Sequence, residues 1–123
     1  MNNRIYNRKV AVVGCGFVGS TCAFSLMQSS LFSEMVLIDV NTARAEGEAL
    51  DIAHGVPYYS PMNIYAGTYE DLADASIVVI AAGANQKPGE TRLDLLQTNV
   101  TILKNVVSSI MAQDFGGIIV VVS

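Results

Sequence analysis

The chain has 123 residues, 51% of them apolar and 15% charged, and a formal net charge of −4. That length suits one domain with a real core, and the apolar excess suits a sheet buried on both faces. Basic residues are too few and scattered for a nucleic-acid surface, no apolar run reaches a membrane span, and no signal sequence is expected, so the cytoplasm is the expected location.

Residues 1–8 are polar and read as a loose arm. Lys9 to Val13 is a β-branched strand signal, followed by Gly14, Gly16 and Gly19 in G-x-G-x-x-G spacing. Three glycines there have separate tasks: a tight turn, room for a pyrophosphate against the backbone, and close helix–strand packing. A helix over 17–29 follows, with Val18, Cys22 and Leu26 expected on one stripe and Ala23 and Met27 beside it. Its N-terminus offers free N–H groups and a positive dipole end to phosphate. A second strand over 35–38 ends at Asp39, twenty residues after Gly19. A carboxylate there is placed to accept the hydroxyls of an adenosine ribose. The two cysteines, Cys15 and Cys22, fit no zinc spacing and no disulfide framework. Cys15 at a helix N-terminus is open to a lowered thiol pKa, but a small residue filling a tight turn explains it better.

Asn41 is the expected N-cap of a helix running to His54, with Ala45, Ala49, Ile52 and Ala53 inward; Gly55 and Pro57 stop it. His54, the lone histidine, lies in the last helical turn, where the dipole favours an imidazole without any catalytic role. A short third strand is expected over 63–66, then a polar connection through Tyr69, Glu70, Asp71 and Asp74. The run S-I-V-V-I-A-A over 76–82 reads as a central parallel strand. A loop over 83–91 leads to a long helix over 92–113, with Leu93, Leu96, Val100, Leu103, Val107 and Ile110 as its apolar stripe. Gly116 and Gly117 break it before a fifth strand over 118–122. The order β-α-β-α-β-β-α-β predicts an α/β doubly wound parallel sheet of Rossmann type, with a ligand outside the carboxyl ends of the first and fourth strands.

The loop after the fourth strand reads A-A-G-A-N-Q-K-P-G-E-T-R-L-D-L-L. Its Pro88-Gly89 pair is a candidate hinge. Together with V-G-C-G-F-V-G and V-L-I-D, this stretch resembles the NAD-dependent L-lactate and malate dehydrogenase family, bacterial-type L-lactate dehydrogenases most of all. The resemblance spans essentially the whole chain. It implies that Gly14, Gly16 and Gly19, with Val18 nearby, cradle the pyrophosphate of NAD, and that Asp39 holds the ribose and repels the 2′-phosphate of NADP. Gly83 and Ala84 would pass the nicotinamide half, and Arg44, Tyr69, Asn105, Val122 and Ser123 match further cofactor-lining positions. Arg92 matches the catalytic arginine that a closing loop brings to the substrate carbonyl, where a guanidinium stabilises the charge growing on oxygen. Gln86 matches the substrate-selecting position: the malate branch carries an arginine there to pair a second carboxylate, and a neutral glutamine favours pyruvate and lactate.

The implied activity is interconversion of (S)-lactate and pyruvate in pyruvate fermentation and glycolysis, by a homotetramer when full-length. In the family an Asn-Pro pair, a proton-shuttling histidine, its aspartate and a carboxylate-anchoring arginine follow the equivalent of Ser123. Residues 1–123 are therefore expected to be an incomplete N-terminal NAD-binding domain without the catalytic C-terminal domain. Alone it should bind NAD weakly, turn over no substrate and self-associate through its last strand. The alternatives are a malate dehydrogenase or another 2-hydroxy-acid dehydrogenase of the family, and a non-catalytic dinucleotide module. An adenosylmethionine-dependent methyltransferase has no use for the Q-K-P-G-E-T-R loop.

Overall fold

A computed structural model describes residues 8–55, 61–84 and 87–122. The β-branched runs form five parallel strands: β1 (Lys9–Val13), β2 (Glu34–Ile38), β3 (Asn63–Ala66), β4 (Ile77–Ile80) and β5 (Ile118–Val121). Three helices connect them: α1 (Phe17–Ser29), α2 (Thr42–Ala53) and α3 (Arg92–Met111), with a 3₁₀ turn at Tyr69–Leu72 in the polar connection. The sheet order is β3-β2-β1-β4-β5, so the direction of winding reverses between β1 and β4. Parallel strands leave a crevice at such a reversal, outside their carboxyl ends. Strands and helices fall where the periodicity put them, with ends shifted by one or two residues: β2 begins at Glu34, β4 ends at Ile80 and α3 ends at Met111.

Alternation along the central strand builds two cores. Val10 and Val12 face one side with Met35, Leu37, Ala23, Met27, Ala45 and Ile52. Ala11 and Val13 face the other with Val36, Ile38, Val78, Ile80, Val106 and Ile110. Helices α1 and α2 therefore cover one face and α3 the other, which is why every residue of β1 is buried.

Two helical faces differ from expectation. In α1 the buried stripe is Gly19, Ala23 and Met27, whereas Val18 is 48% exposed. Apolar and small polar residues alternate around the helix, so its periodicity selects no face sharply, and Gly19 and Ala23 permit the close approach to the sheet that buries Met27 beside them. In α3 the C-terminal half packs through the expected Ile110 and through Val106, which is not on the expected stripe, while the expected Leu103 and Val107 are partly buried against the same core. Leu93, Leu96 and Val100 are 62%, 58% and 43% exposed. The stripe continues in sequence, but a helix of 20 residues is about 30 Å long. Strands of four or five residues span roughly half of that, and the first turns of α3 run past the sheet.

At the amino ends of the strands, Lys9 is buried. Its ammonium donates to Asp74 at 2.7 Å and lies 3.5 Å from Glu34, which in turn accepts the Tyr65 hydroxyl at 2.5 Å. Burial opposes the charge, but the hydrogen bonds to Asp74 and Tyr65 outweigh it and hold the ammonium above its ordinary pKa. Burial and the bond to Glu34 push the Tyr65 phenol to about 12. This network ties β1, β2, β3 and the approach to β4 together at the end of the sheet opposite the crevice. His54 lies at that same end, since it caps the far terminus of α2. Pro57 lies outside the described residues. No helix among the described residues is long and apolar enough to cross a membrane.

Candidate functional site

The turn after β1 is made by crowding. Gly14 has φ +99°, a left-handed conformation, and a side-chain carbon there would come within 2.6 Å of the Ala82 nitrogen. A Cβ on Gly19 would stand 1.7 Å from the Gly14 carbonyl oxygen. Both positions must be glycine for the protein's own packing. Gly16 differs: a Cβ there would meet nothing within 4 Å among the described residues. The fold does not require that missing side chain, so the space it leaves belongs to whatever lies against the turn.

Gly16 is also the N-cap of α1, and its helix start has no side-chain cap. Asn41 caps α2 by accepting from the Arg44 N–H at 3.1 Å, and Thr91 caps α3 in a reciprocal box with Asp94. The first-turn N–H groups of α1 are thus left for a phosphate, which their dipole favours.

Beside this turn is a cleft of about 280 Å³, lined by Gly14, Gly16, Asp39, Val40, Arg44, Tyr69, Ala82, Gly83, Ile102 and Val106 among others. Asp39 is the charged centre of its rim. One carboxylate oxygen accepts the Cys15 N–H at 2.7 Å and the other the Asn41 N–H at 2.8 Å. These bonds fix the carboxylate's direction, and an ionised carboxylate with about four acceptor sites retains capacity for two ligand hydroxyls. Tyr69 is half-buried opposite, its phenol pushed above its ordinary pKa by burial and then by the Asp39 charge. Arg44 supplies a cation on the rim. The cleft therefore offers a diol-accepting acid, a cation, an open helix start and apolar walls, which fits a dinucleotide. No three-residue cluster that could hold a metal ion occurs among the described residues.

Cys15 is a small buried residue in this turn, and its thiol is pushed up to about 11 by burial and the charges of Asp39 and Glu48, against the pull of Arg44. Helix-terminus activation of the thiol is thereby overridden. A broader hollow between α1 and α2 shares Gly16 and Arg44, but its walls include the exposed Phe17 and Phe24. Asp39 is not among its lining residues.

The sequence-assigned residues divide accordingly. Gly14, Gly16, Asp39, Arg44, Tyr69 and Gly83 meet around the cleft. Gly19 stands behind it as a packing residue. Val18 is exposed and lines neither hollow. Asn105 is exposed on α3, where Ile102 and Val106 are the lining residues instead. Val122 packs on the far side of β4 with Cys22, Leu26 and Val79, away from the cleft. Arg92 is exposed in the first turn of α3, at the carboxyl end of the sheet, with Asp94 in the same turn offsetting its charge. Gln86 and Ser123 lie outside the described residues. The Pro88-Gly89 pair forms a closed turn: the Glu90 N–H donates to the Lys87 carbonyl at 3.0 Å, Gly89 has φ +81°, and Glu90 accepts the Lys87 N–H at 3.1 Å. Sequence reading missed Asn99, whose side chain accepts the Ala84 N–H at 2.8 Å.

The family model described as "lactate/malate dehydrogenase, NAD binding domain" matches residues 8–123. The chain belongs to the lactate/malate dehydrogenase family. Within it, an L-lactate dehydrogenase of Priestia megaterium is 58% identical over 114 residues, which are 93% of this chain and 36% of that protein. A solved lactate dehydrogenase from a Medee basin deep-sea metagenome library is 48% identical with a TM-score of 0.90, over 95% of this chain and 38% of its own. The malate dehydrogenase of Archaeoglobus fulgidus, solved in complex with NADH, is 36% identical with a TM-score of 0.84, over 94% of this chain and 40% of its own. The chain thus spans between a third and two fifths of the length of these relatives.

The two kinds of glycine separate experimentally. Gly19→Ala should lose at least about 3 kcal/mol in urea denaturation, because the overlap is with backbone. Gly16→Ala should lose no more than about 1 kcal/mol, the scale of a weakened N-cap, yet weaken dinucleotide binding. Equal stability losses in the two variants would contradict the assignment of free space at Gly16.

Proposed function

We propose that this chain is the NAD-binding part of an L-lactate dehydrogenase that interconverts (S)-lactate and pyruvate. The observation that carries the reading is the Asp39 carboxylate, held by two backbone N–H groups at the rim shared with Gly16 and Tyr69. Held there, it accepts the 2′- and 3′-hydroxyls of an adenosine ribose and repels a 2′-phosphate, so NAD is preferred over NADP. Gly14 and Gly16 would admit the pyrophosphate to the N-terminus of α1, Arg44 would add a cation beside it, and Gly83 and Ala84 would flank the nicotinamide half. Tyr69 closes the cleft on the side of the 3₁₀ turn.

NAD, when bound, supplies the hydride acceptor or donor. The chain's own residues act on the keto acid. Arg92 is placed on the cleft's end of the sheet, where its guanidinium would donate to the carbonyl oxygen as negative charge develops. Gln86 would meet the substrate side chain, and its neutrality suits a methyl group better than a second carboxylate. The higher identity to lactate than to malate dehydrogenases among the solved relatives supports the same substrate. A proton donor and a carboxylate anchor would come from the further length that the relatives carry. We place the protein in the cytoplasm, at the pyruvate-reducing step after glycolysis, as a homo-oligomer. The exposed Leu50, Leu93 and Leu96 support burial of α2 and α3 surface in an assembly.

Fluorescence titration tests the cofactor. NADH should bind at least about tenfold more tightly than NADPH, and Asp39→Ser should bring the two within about threefold. Equal affinities in the unmodified chain would sink the ribose assignment. The substrate is tested in a protein joining this chain to the remaining length of the Priestia megaterium relative. There Gln86→Arg should shift the kcat/KM ratio from pyruvate towards oxaloacetate by about ten- to a hundredfold, the scale of one charge-assisted hydrogen bond. An unchanged ratio means that Gln86 does not meet the substrate side chain.

A further inference from the structure

Asn99 lies two turns into α3, half-buried, in a helix whose neighbouring positions are mostly apolar or exposed. Asparagine is a poor helix-interior residue because its amide competes for backbone groups. Here it bonds outside its own helix. Its Oδ1 accepts the Ala84 N–H at 2.8 Å and stands 3.5 Å from where a Cβ on Gly83 would sit. The segment it touches is the wall of the cleft beyond β4.

That wall is held from two sides. The Ala81 N–H donates to the Val13 carbonyl at 2.8 Å, and Gly14 crowds against Ala82 so closely that no side chain fits between them. Three residues further along, the Asn99 side chain of α3 accepts the Ala84 N–H. Residues 81–84 are thus clamped between the glycine turn and α3. The clamp joins the wall to the helix that carries Arg92, seven residues before Asn99.

We infer that Asn99 is a positioning residue: by holding the Ala84 amide it fixes the Gly83–Ala84 backbone as the wall for the nicotinamide half of the cofactor and ties it to the helix bearing Arg92. The inference rests on the dinucleotide reading of the cleft. It assigns Asn99 no part in holding the adenosine half, which is built by Gly16, Asp39 and Tyr69 on the other side.

The test separates the halves with two probes. ADP reports the adenosine half and NADH the whole site, each titrated against the 123-residue chain and its variants. Amide hydrogen exchange at Ala84 reports the bond itself. Asn99→Leu should leave ADP affinity within about twofold, weaken NADH about tenfold, the scale of one lost ordering hydrogen bond, and speed exchange at Ala84. Asn99→Asp, which keeps the acceptor oxygen, should retain protection at Ala84. If the unmodified chain binds neither ADP nor NADH, the dinucleotide reading itself fails and the inference with it. If it binds both and Asn99→Leu weakens them equally, or neither, the positioning role is refuted while the cleft assignment stands. Should Asn99→Leu fail to fold, Asn99→Ser, too short to reach Ala84, must show the same selective loss; an unselective one refutes the role.

Discussion

The contact between the Gly14 carbonyl and the backbone of Gly19 leaves no room for a single side-chain carbon, and the structure is arranged around that closeness. It lets α1 begin almost at the end of β1, with its first N–H groups at the mouth of the switch-point crevice. The same turn crowds Ala82 at the end of β4. β1, β4 and α1 therefore meet at one point, and the cleft opens there. A methyl group at Gly14 or Gly19 would force these elements apart and widen the cleft.

Asp39 depends on the same turn. Its carboxylate is held by the Cys15 amide, which belongs to the glycine turn, and by the Asn41 amide, which leads into α2. One acid thus fastens the ends of two strands and the starts of two helices, and its charge adds to burial in raising the Cys15 thiol and the Tyr69 phenol. Charge at the carboxyl end of the sheet lines the cleft. Charge at the other end, in the Lys9, Asp74, Glu34 and Tyr65 network, holds strands together. Removing Lys9 would leave the partly buried Glu34 carboxylate without its cation, a structural loss remote from the cleft.

Much of this was legible in the sequence because local chemistry carries it. Period and β-branching marked five strands and three helices, and the glycine spacing with an acid at the end of the second strand marked the site. What escaped was decided by contacts between distant residues. Asn99 carries no signal of its own in the sequence, because its partner is the chain after β4, 15 residues away. Lys9 reads as the polar start of a strand until Asp74 arrives, 65 residues on. In α1 the burial of Ala23 and Met27 was legible but not the exposure of Val18, because apolar residues are spread around the helix, and in α3 the exposed first turns were missed because the helix outruns its sheet. Asn105 and Val122, taken over from family resemblance, fall off the cleft wall; Ile102 and Val106 line it, and an apolar helix position carries no sign of which ligand half it will meet.

Backbone amide chemical-shift mapping with NADH tests the central claim most directly. The account predicts that a saturating titration moves the signals of Cys15, Gly16, Val40, Tyr69, Gly83 and Ala84 together with one dissociation constant, and leaves those of Ser25 and Glu48, in the hollow between α1 and α2, in place. Saturable shifts centred on Phe24, Ser25 and Glu48 with Gly83 and Tyr69 unmoved would contradict it.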